Sequence, residues 1–494
     1  MRRRTPLVLA LFVSMLALIL AVGCSPAQSG ATSSATSATS ADSAASDGAD
    51  SSASDVSPAS TSSATAADAQ DPYAVAWAKR DGLTLKQVVA VSRHNMRAPL
   101  STSGSVLAEA TTHEWVDWTA EGSELTLKGG AAETIMGEFF RTWLEDEGLF
   151  PSNYMPEDGA VRIYANPRQR TLSTAAYFST GLLPVGNVQV EYHGEYDSRD
   201  PVFKPRFTYL SDTYSEAATA ELAKNGGKDG IAGLGGDLQE SYDLIMEVLD
   251  FQNSPAAKSG EYAPLKAGDT KLTEFALDKE PKLEGSLDLG NQLSDALILQ
   301  YYQAPDAVTA AFGKELTWEQ WLQIAAPRNE YGDLRFDSDL VAVDCAHLLV
   351  EEVKSELGKE GRRFTFMCGH DSNMMSLLHA LGVKHYELPD TLELQTPIGG
   401  KILFEVWEGT DGTKYANIRM AYATSEQVRD LDLLSLGHAP ASYDLEFESI
   451  QRQANGLYLL SDVEKLFDEK IALYNSLPET CPQSVEEVEL AEAA

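Results

Sequence analysis

Cysteine is scarce in this chain, with four among 494 residues. Past Cys24 only Cys345, Cys368 and Cys481 remain, so at most one disulfide can form and one thiol is left over. There is no C-x-x-C pair and the histidines lack metal-ligand spacing, which argues against a zinc site. Cys368 lies in a predicted buried strand and reads as a small apolar core residue. Basic charge is also short: 38 Lys and Arg face 74 Asp and Glu, for a net charge of −36. Nucleic-acid binders carry a basic footprint, so nucleic acid is excluded as a partner. An anionic small molecule would meet long-range repulsion, so any site for one needs its own local cations. Residues 25–72 have no aromatic and no basic residue and consist almost wholly of Ser, Ala, Thr and Asp. Such a segment cannot bury enough apolar surface to fold and is predicted to be a disordered tether. As a coil of about 48 residues it would span on the order of 35–40 Å. The acidic stretch 485–494 reads as a solvated tail. No internal repeat is visible.

What is present begins with an export signal. Arg2, Arg3 and Arg4 precede an apolar run from Leu7 to Val22, and Ala21-Val22-Gly23-Cys24 resembles the cleavage box of bacterial lipoproteins. Residues 1–24 are predicted to be a signal peptide, with Cys24 the lipid-bearing first residue of the mature protein. The expected location is the outer face of the cell membrane, or the periplasm where an outer membrane exists. The membrane is then a partner through this N-terminal anchor. Residues 73–494 are enough for a large two-lobed domain.

Three short β-prone runs each end in a polar knot. Val88 to Ser92 leads into Arg93-His94-Asn95-Met96-Arg97-Ala98-Pro99, and Val161 to Ala165 into Asn166-Pro167-Arg168-Gln169-Arg170-Thr171. Phe364 to Cys368 leads into Gly369-His370-Asp371-Ser372-Asn373. An α/β sheet gathers the loops at its strand C-termini into one crevice, where such folds bind ligands. Helical patterns at 127–143, 171–181 and 340–357 alternate with these strands, and 372–381 reads as a helix as well. Helical patterns at 214–224, 238–251, 290–302 and 318–326 have no strong strand among them. The expected fold is α/β, a core of about 73–199 and 336–484 with a mostly helical cap at about 200–335. Two further strands are predicted at 401–407 and 415–421.

Such a crevice suits a phosphate monoester. The ester carries about two negative charges, and the planar fork of arginine binds two of its oxygens at once. If the chain turns helically after the first strand, Arg93 and Arg97 fall on one face and free N–H groups of the turn point at the same anion. His94 then lies beside phosphorus. A neutral imidazole attacks from one nitrogen while the other keeps the proton, usually held by a backbone carbonyl. Asp371 can protonate the leaving alkoxide, since a nearby phosphate dianion disfavours its charged form. Alternatively, Asp371 or Ser372 caps the following helix. His370, once protonated, would be a further phosphate ligand. Arg168 and Arg170 are two residues apart, and either could face the site.

Arg93-His94-x-x-Arg97-x-Pro99 early in the chain, with His370-Asp371 late, resembles the signature of the histidine acid phosphatases, in the phytase branch of the histidine phosphatase superfamily. The likeness extends over about 85–481 and includes Leu125 to Gly130, Gln169 to Thr171, Asp200 to Pro205, Leu299 to Tyr302 and Thr396 to Ile402. Asn95 stands where most members carry glycine. The resemblance implies that His94 is the nucleophile and Asp371 the proton donor. It implies that Arg93, Arg97, Arg170 and His370 hold the phosphate, choosing Arg170 over Arg168, and that there is no metal or other cofactor. The implied activity is acid hydrolysis of sugar phosphates such as glucose 1-phosphate through a phosphohistidine. The alternatives are a phytase and, in another class, a phosphosugar-binding lipoprotein without turnover.

Overall fold

The computed structural model describes residues 71–100, 106–186 and 188–484. The predicted signal peptide, Cys24, the tether up to residue 70 and the acidic tail lie outside the described residues. Among the described residues no helix is long and apolar enough to cross a membrane.

The strands are β1 (Leu83–Arg93), β2 (Val161–Ala165), β3 (Val190–Glu191), β4 (Lys271–Leu272), β5 (Leu283–Glu284), β6 (Phe364–Gly369), β7 (Lys401–Gly409), β8 (Lys414–Tyr422), β9 (Ala441–Asp444) and β10 (Tyr458–Leu459). Eight of them form one mixed sheet in the order β10-β8-β7-β1-β6-β2-β3, with β9 also on β8. From β1 through β6 and β2 to β3 the pairing is parallel, whereas β1–β7 and β7–β8 are antiparallel. The sheet is thus parallel on one side of β1 and antiparallel on the other.

Long helices cover both faces. On one side lie α1 (Leu127–Asp146) and α2 (Gln169–Leu182), and α1 begins at Thr126, whose hydroxyl accepts the Gly129 N–H. Phe139, Phe140 and Phe178 pack there against Val88, Ala90, Ile163 and Phe366. On the other side Val89, Val91, Tyr164 and Met367 meet helices that come later in the chain. Because both faces are buried, β1 reads as a continuous apolar run from Val88 to Val91 without alternation.

Between β3 and residue 335 the chain is mostly helical, including α3 (Ser286–Gln303) and α4 (Trp318–Leu334). Tyr242, Leu293, Leu297, Trp321 and Ile324 form a separate apolar cluster there. This stretch is not free of strands, since β4 and β5 form a small hairpin. Two-residue strands carry too little periodicity to be read from sequence. The chain returns through α5 (Asp339–Glu356), α6 (Asp371–Leu381) after β6, and finally α7 (Leu460–Asn475). These three helices make the second face, through residues such as Leu349, Leu377 and Phe467. Cys345, Cys368 and Cys481 are all buried free thiols.

Candidate active site

Register brings the three polar knots together. Arg93 pairs with Gly369 across β1–β6, and Ala165 with Cys368 across β2–β6, so all three strands end at one level. Two more bonds extend the ladders into the loops. The His94 N–H donates to Gly369 O and the Asn166 N–H to Cys368 O, both at 3.0 Å. Above this edge lies a cavity of about 320 Å³, lined among others by Arg93, His94, Arg97, Arg170, His370 and Asp371. All six predicted site residues meet there.

The path of the first loop differs from the expected helical turn. Residues 94–96 are irregular, and Arg97 makes an isolated antiparallel bridge with Leu125. Five of the N–H groups of residues 93–98 are also spent within the protein. Arg93 donates to Gly400 O, Asn95 to Thr174 Oγ1, Met96 to Asn95 Oδ1 and Ala98 to Glu124 O. An anion here meets side chains and not a cradle formed by these backbone N–H groups. The cause lies in the tertiary surroundings, because Thr174 of α2, Glu124, Gly400 and the Asn95 side chain accept these N–H groups and α1 packs close against the loop. Gly129 on α1 makes that approach possible, since a Cβ there would sit 2.3 Å from Met96 O.

His94 is almost fully buried. Its Nδ1 lies 2.8 Å from Asn95 O, so Nδ1 carries the proton and Nε2 the lone pair. Burial pushes its pKa well below the usual histidine value, and Arg170, His370, Arg93 and Arg97 push it the same way. His370 lies edge-on to it, ring centroids 5.4 Å apart. Burial and then Arg170 hold the His370 pKa well below the ordinary value, which favours the neutral ring. The Asp200 N–H donates to Asn166 Oδ1 (3.0 Å), which leaves the Asn166 amide nitrogen facing His370 Nε2 at 2.7 Å. Nε2 therefore accepts from Asn166, and Arg170 Nη2, which can only donate, lies 3.3 Å from His370 Nδ1.

Arg170 is the second residue of α2, whereas Arg168 precedes the helix and pairs with Asp197 (2.6 Å). Burial, then Arg97, Arg199 and Arg168, push the Arg170 guanidinium down to about 9, which still leaves it charged in acid. The buried Nε atoms of Arg93 and Arg170 have no protein acceptor among the described residues. Unpaired buried donors of this kind are costly unless a ligand completes them. Asp371 opens α6 and accepts the Ser372 N–H (2.8 Å), while Asn373 Oδ1 caps the His370 N–H (2.8 Å). The N-cap position thus falls to His370 and not to Asp371 or Ser372, and the other Asp371 oxygen is paired with Arg328.

Sequence reading missed several residues. Arg328, from α4, also lies 3.5 Å from Asp295 on α3, and Asp295 pairs with Arg97 at 2.9 Å. Burial raises the Asp295 pKa, but Arg97, Arg328 and Arg93 outweigh it and hold the carboxyl below its ordinary value. Glu393 pairs with Arg93 and accepts the Ile398 N–H (3.0 Å). Farther out, Glu280 pairs with Arg199 and lies 3.7 Å from Arg335. Asn166 had a signal, since it directly follows a β-run in the same way as Arg93 and Gly369. Arg328 and Asp295 sit inside helical patterns and had none.

Residues 84–226 match the family described as "Histidine phosphatase superfamily (branch 2)". A relative named glucose-1-phosphatase, from Salmonella typhimurium (strain LT2), is 35% identical over 393 residues, covering 78% of this chain and 93% of that protein. Another glucose-1-phosphatase, from Providencia rettgeri, is 32% identical over 406 residues, covering 80% of this chain and 94% of that protein. Among solved structures, the phytase from Citrobacter braakii is similar with a TM-score of 0.71 at 27% identity, covering 78% of this chain and 98% of that one. With such likeness running through nearly the whole length of its relatives, the chain belongs to the histidine phosphatase superfamily, branch 2, and is an acid phosphatase.

Proposed function

We propose that the protein hydrolyses sugar phosphates such as glucose 1-phosphate, with His94 as nucleophile. Arg93, Arg97, Arg170 and His370 hold the phosphoryl oxygens. His94 Nε2 forms a bond to phosphorus as the ester P–O bond breaks, and Asp371 gives its proton to the departing sugar oxygen. Water then attacks phosphorus, Asp371 takes its proton, and the N–P bond breaks to release phosphate and neutral His94. A phosphate dianion beside Asp371 competes for Arg328 and disfavours the carboxylate, so the substrate itself promotes the acid form. The observation that carries this reading is the Nδ1 tie of His94 to Asn95 O, which keeps the lone pair on Nε2 within a cavity lined by guanidinium groups.

The preference for a sugar monophosphate is supported by the names of the two curated relatives. The outer cations point the same way. Glu280 already pairs with Arg199 and approaches Arg335, which leaves fewer unpaired charges for an inositol hexakisphosphate. We also propose that residues 200–335 act as a cap that selects the leaving group. Residues 1–24 and Cys24 would export the domain and anchor it by a lipid, with 25–72 as the tether.

The test is release of phosphate from p-nitrophenyl phosphate, glucose 1-phosphate and phytate at about pH 4–5. Turnover of the first two that vanishes in His94→Ala is expected. Stoichiometric binding without turnover would instead indicate a receptor, and faster release from phytate a phytase.

A further inference from the structure

The Asn95 side chain is a polar group of the first motif that the proposed chemistry leaves unused. It lies in an unbroken hydrogen-bonded chain behind the nucleophile. His94 Nδ1–H donates to the carbonyl of residue 95 (2.8 Å), and the N–H of that same peptide group, on Met96, donates to Asn95 Oδ1 (2.8 Å). The Asn95 amide Nδ2 then donates to Glu133 Oε2 at 2.7 Å. Each link is an amide that accepts on one side and donates on the other, so all three bonds run in one direction. The chain begins at an imidazole N–H and ends on a carboxylate. Turning the Asn95 amide over would set its oxygen against the carboxylate and its NH₂ against an N–H, so the orientation is fixed by its partners.

The far end is held firmly. Glu133 and Lys401 have no solvent exposure, and Lys401 Nζ lies 2.9 Å from Glu133 Oε1. Lys401 also donates to Gly399 O (2.7 Å) and sits over the rings of Phe178 and Phe366. Gly399 has φ +66°, and a Cβ there would meet Asn95 Nδ2 at 2.5 Å. The Thr396-Pro397-Ile398-Gly399-Gly400-Lys401 motif therefore both makes room for the Asn95 side chain and supplies the cation behind Glu133.

We propose that Glu133 is a positioning residue for His94, acting through the two amide groups of Asn95 to hold the Nδ1–H tautomer and to stabilise the positive ring formed when Nε2 is phosphorylated. Hydrogen bonds aligned in one direction polarise one another, and the effect is greatest in a low-dielectric interior. The need is plain from the surroundings, because several arginines face the ring and oppose any positive charge on it. A carboxylate in direct contact would do the same work for a histidine with an exposed Nδ1 face, and here the relay reaches it through the backbone.

This inference rests on His94 being the nucleophile, so the test measures both. The rate of radiolabelled phosphohistidine formation from a labelled monoester is compared among wild type, Glu133→Gln/Lys401→Met and Asn95→Gly. The double variant removes the charge without stranding a buried lysine, and Asn95→Gly cuts the relay while keeping the Glu133–Lys401 pair. Phosphorylation is expected to slow by about 10- to 100-fold in both, as is usual for outer partners of a reacting group. Inhibition by inorganic phosphate should stay within about twofold, because the groups that bind phosphate are untouched. A folded variant of either kind that phosphorylates at the wild-type rate overturns the relay, as does a parallel loss of phosphate affinity, which marks general distortion. A wild-type enzyme that turns over with no label on His94 overturns the nucleophile itself.

Discussion

A buried histidine surrounded by guanidinium groups gives up its proton at unusually low pH, and the proposed reaction depends on this. With its pKa held well below 6.5, His94 is suited to the proposed nucleophilic role in mild acid, where carboxyl groups in general are more easily protonated. Removing a neighbouring cation raises the His94 pKa, so protonation disables it at a higher pH. Arg170→Gln is therefore expected to move the acid limb of the kcat/KM profile toward neutrality, besides raising KM. A limb that stays in place would separate Arg170 from His94. Asp371→Asn should slow esters with poor leaving groups by about 100-fold or more while sparing p-nitrophenyl phosphate, since only the former need a proton in the transition state. Equal losses on both would remove the donor role. At this scale the sequence was informative where chemistry sat at strand ends. His94, Arg93, Arg97 and His370 stood out because each joins a β-run to a loop. The surroundings of His370 were not legible, because Asn166, held by the Asp200 N–H, reaches it from another part of the chain.

Elements place these groups, and their junctions carry the strain. Gly399→Ala would put a Cβ against the Asn95 amide at a left-handed φ, so a clear drop in thermal midpoint and near loss of turnover are expected. Unchanged midpoint and activity would mean that the junction is slack. A second junction ties α5 to the chain that leaves β3. Asp344, fully buried on α5, accepts the Thr208 N–H at 3.0 Å, and burial pushes its pKa up to about 6 against the effect of its hydrogen bonds. An unfolded aspartate titrates near about 3.9, so as pH falls the native carboxyl is protonated first. The native state gains stability across that window and forfeits it above about pH 6. Asp344→Asn should thus raise the thermal midpoint at pH 7 and change it little at about pH 4, where the native aspartic acid is already neutral. Equal shifts at the two pH values would contradict this. The long helices and strands were legible from periodicity, as α1, α2 and α5 show. The loop after β1 was not, because its course is set by Thr174, Glu124 and α1, none of which is near it in sequence.

On the scale of the whole molecule, an arginine-lined crevice sits in a chain of net charge −36. The contrast is local and is arranged by the sheet, whose parallel side delivers three loops to one edge. The same topology has a consequence for how the protein is made. β1 is central, yet Val88 is flanked by Phe364 of β6 and Glu405 of β7. A growing chain therefore emerges with its middle strand lacking both neighbours until the last third has been synthesised. Nascent chains truncated before residue 364 should be degraded rapidly by protease, and resistance should appear only once β7 has been made. A polypeptide that stays loose for so long buries its middle strand late, and the arrival of β6 and β7 postpones the working phosphatase until nearly the whole chain has been made.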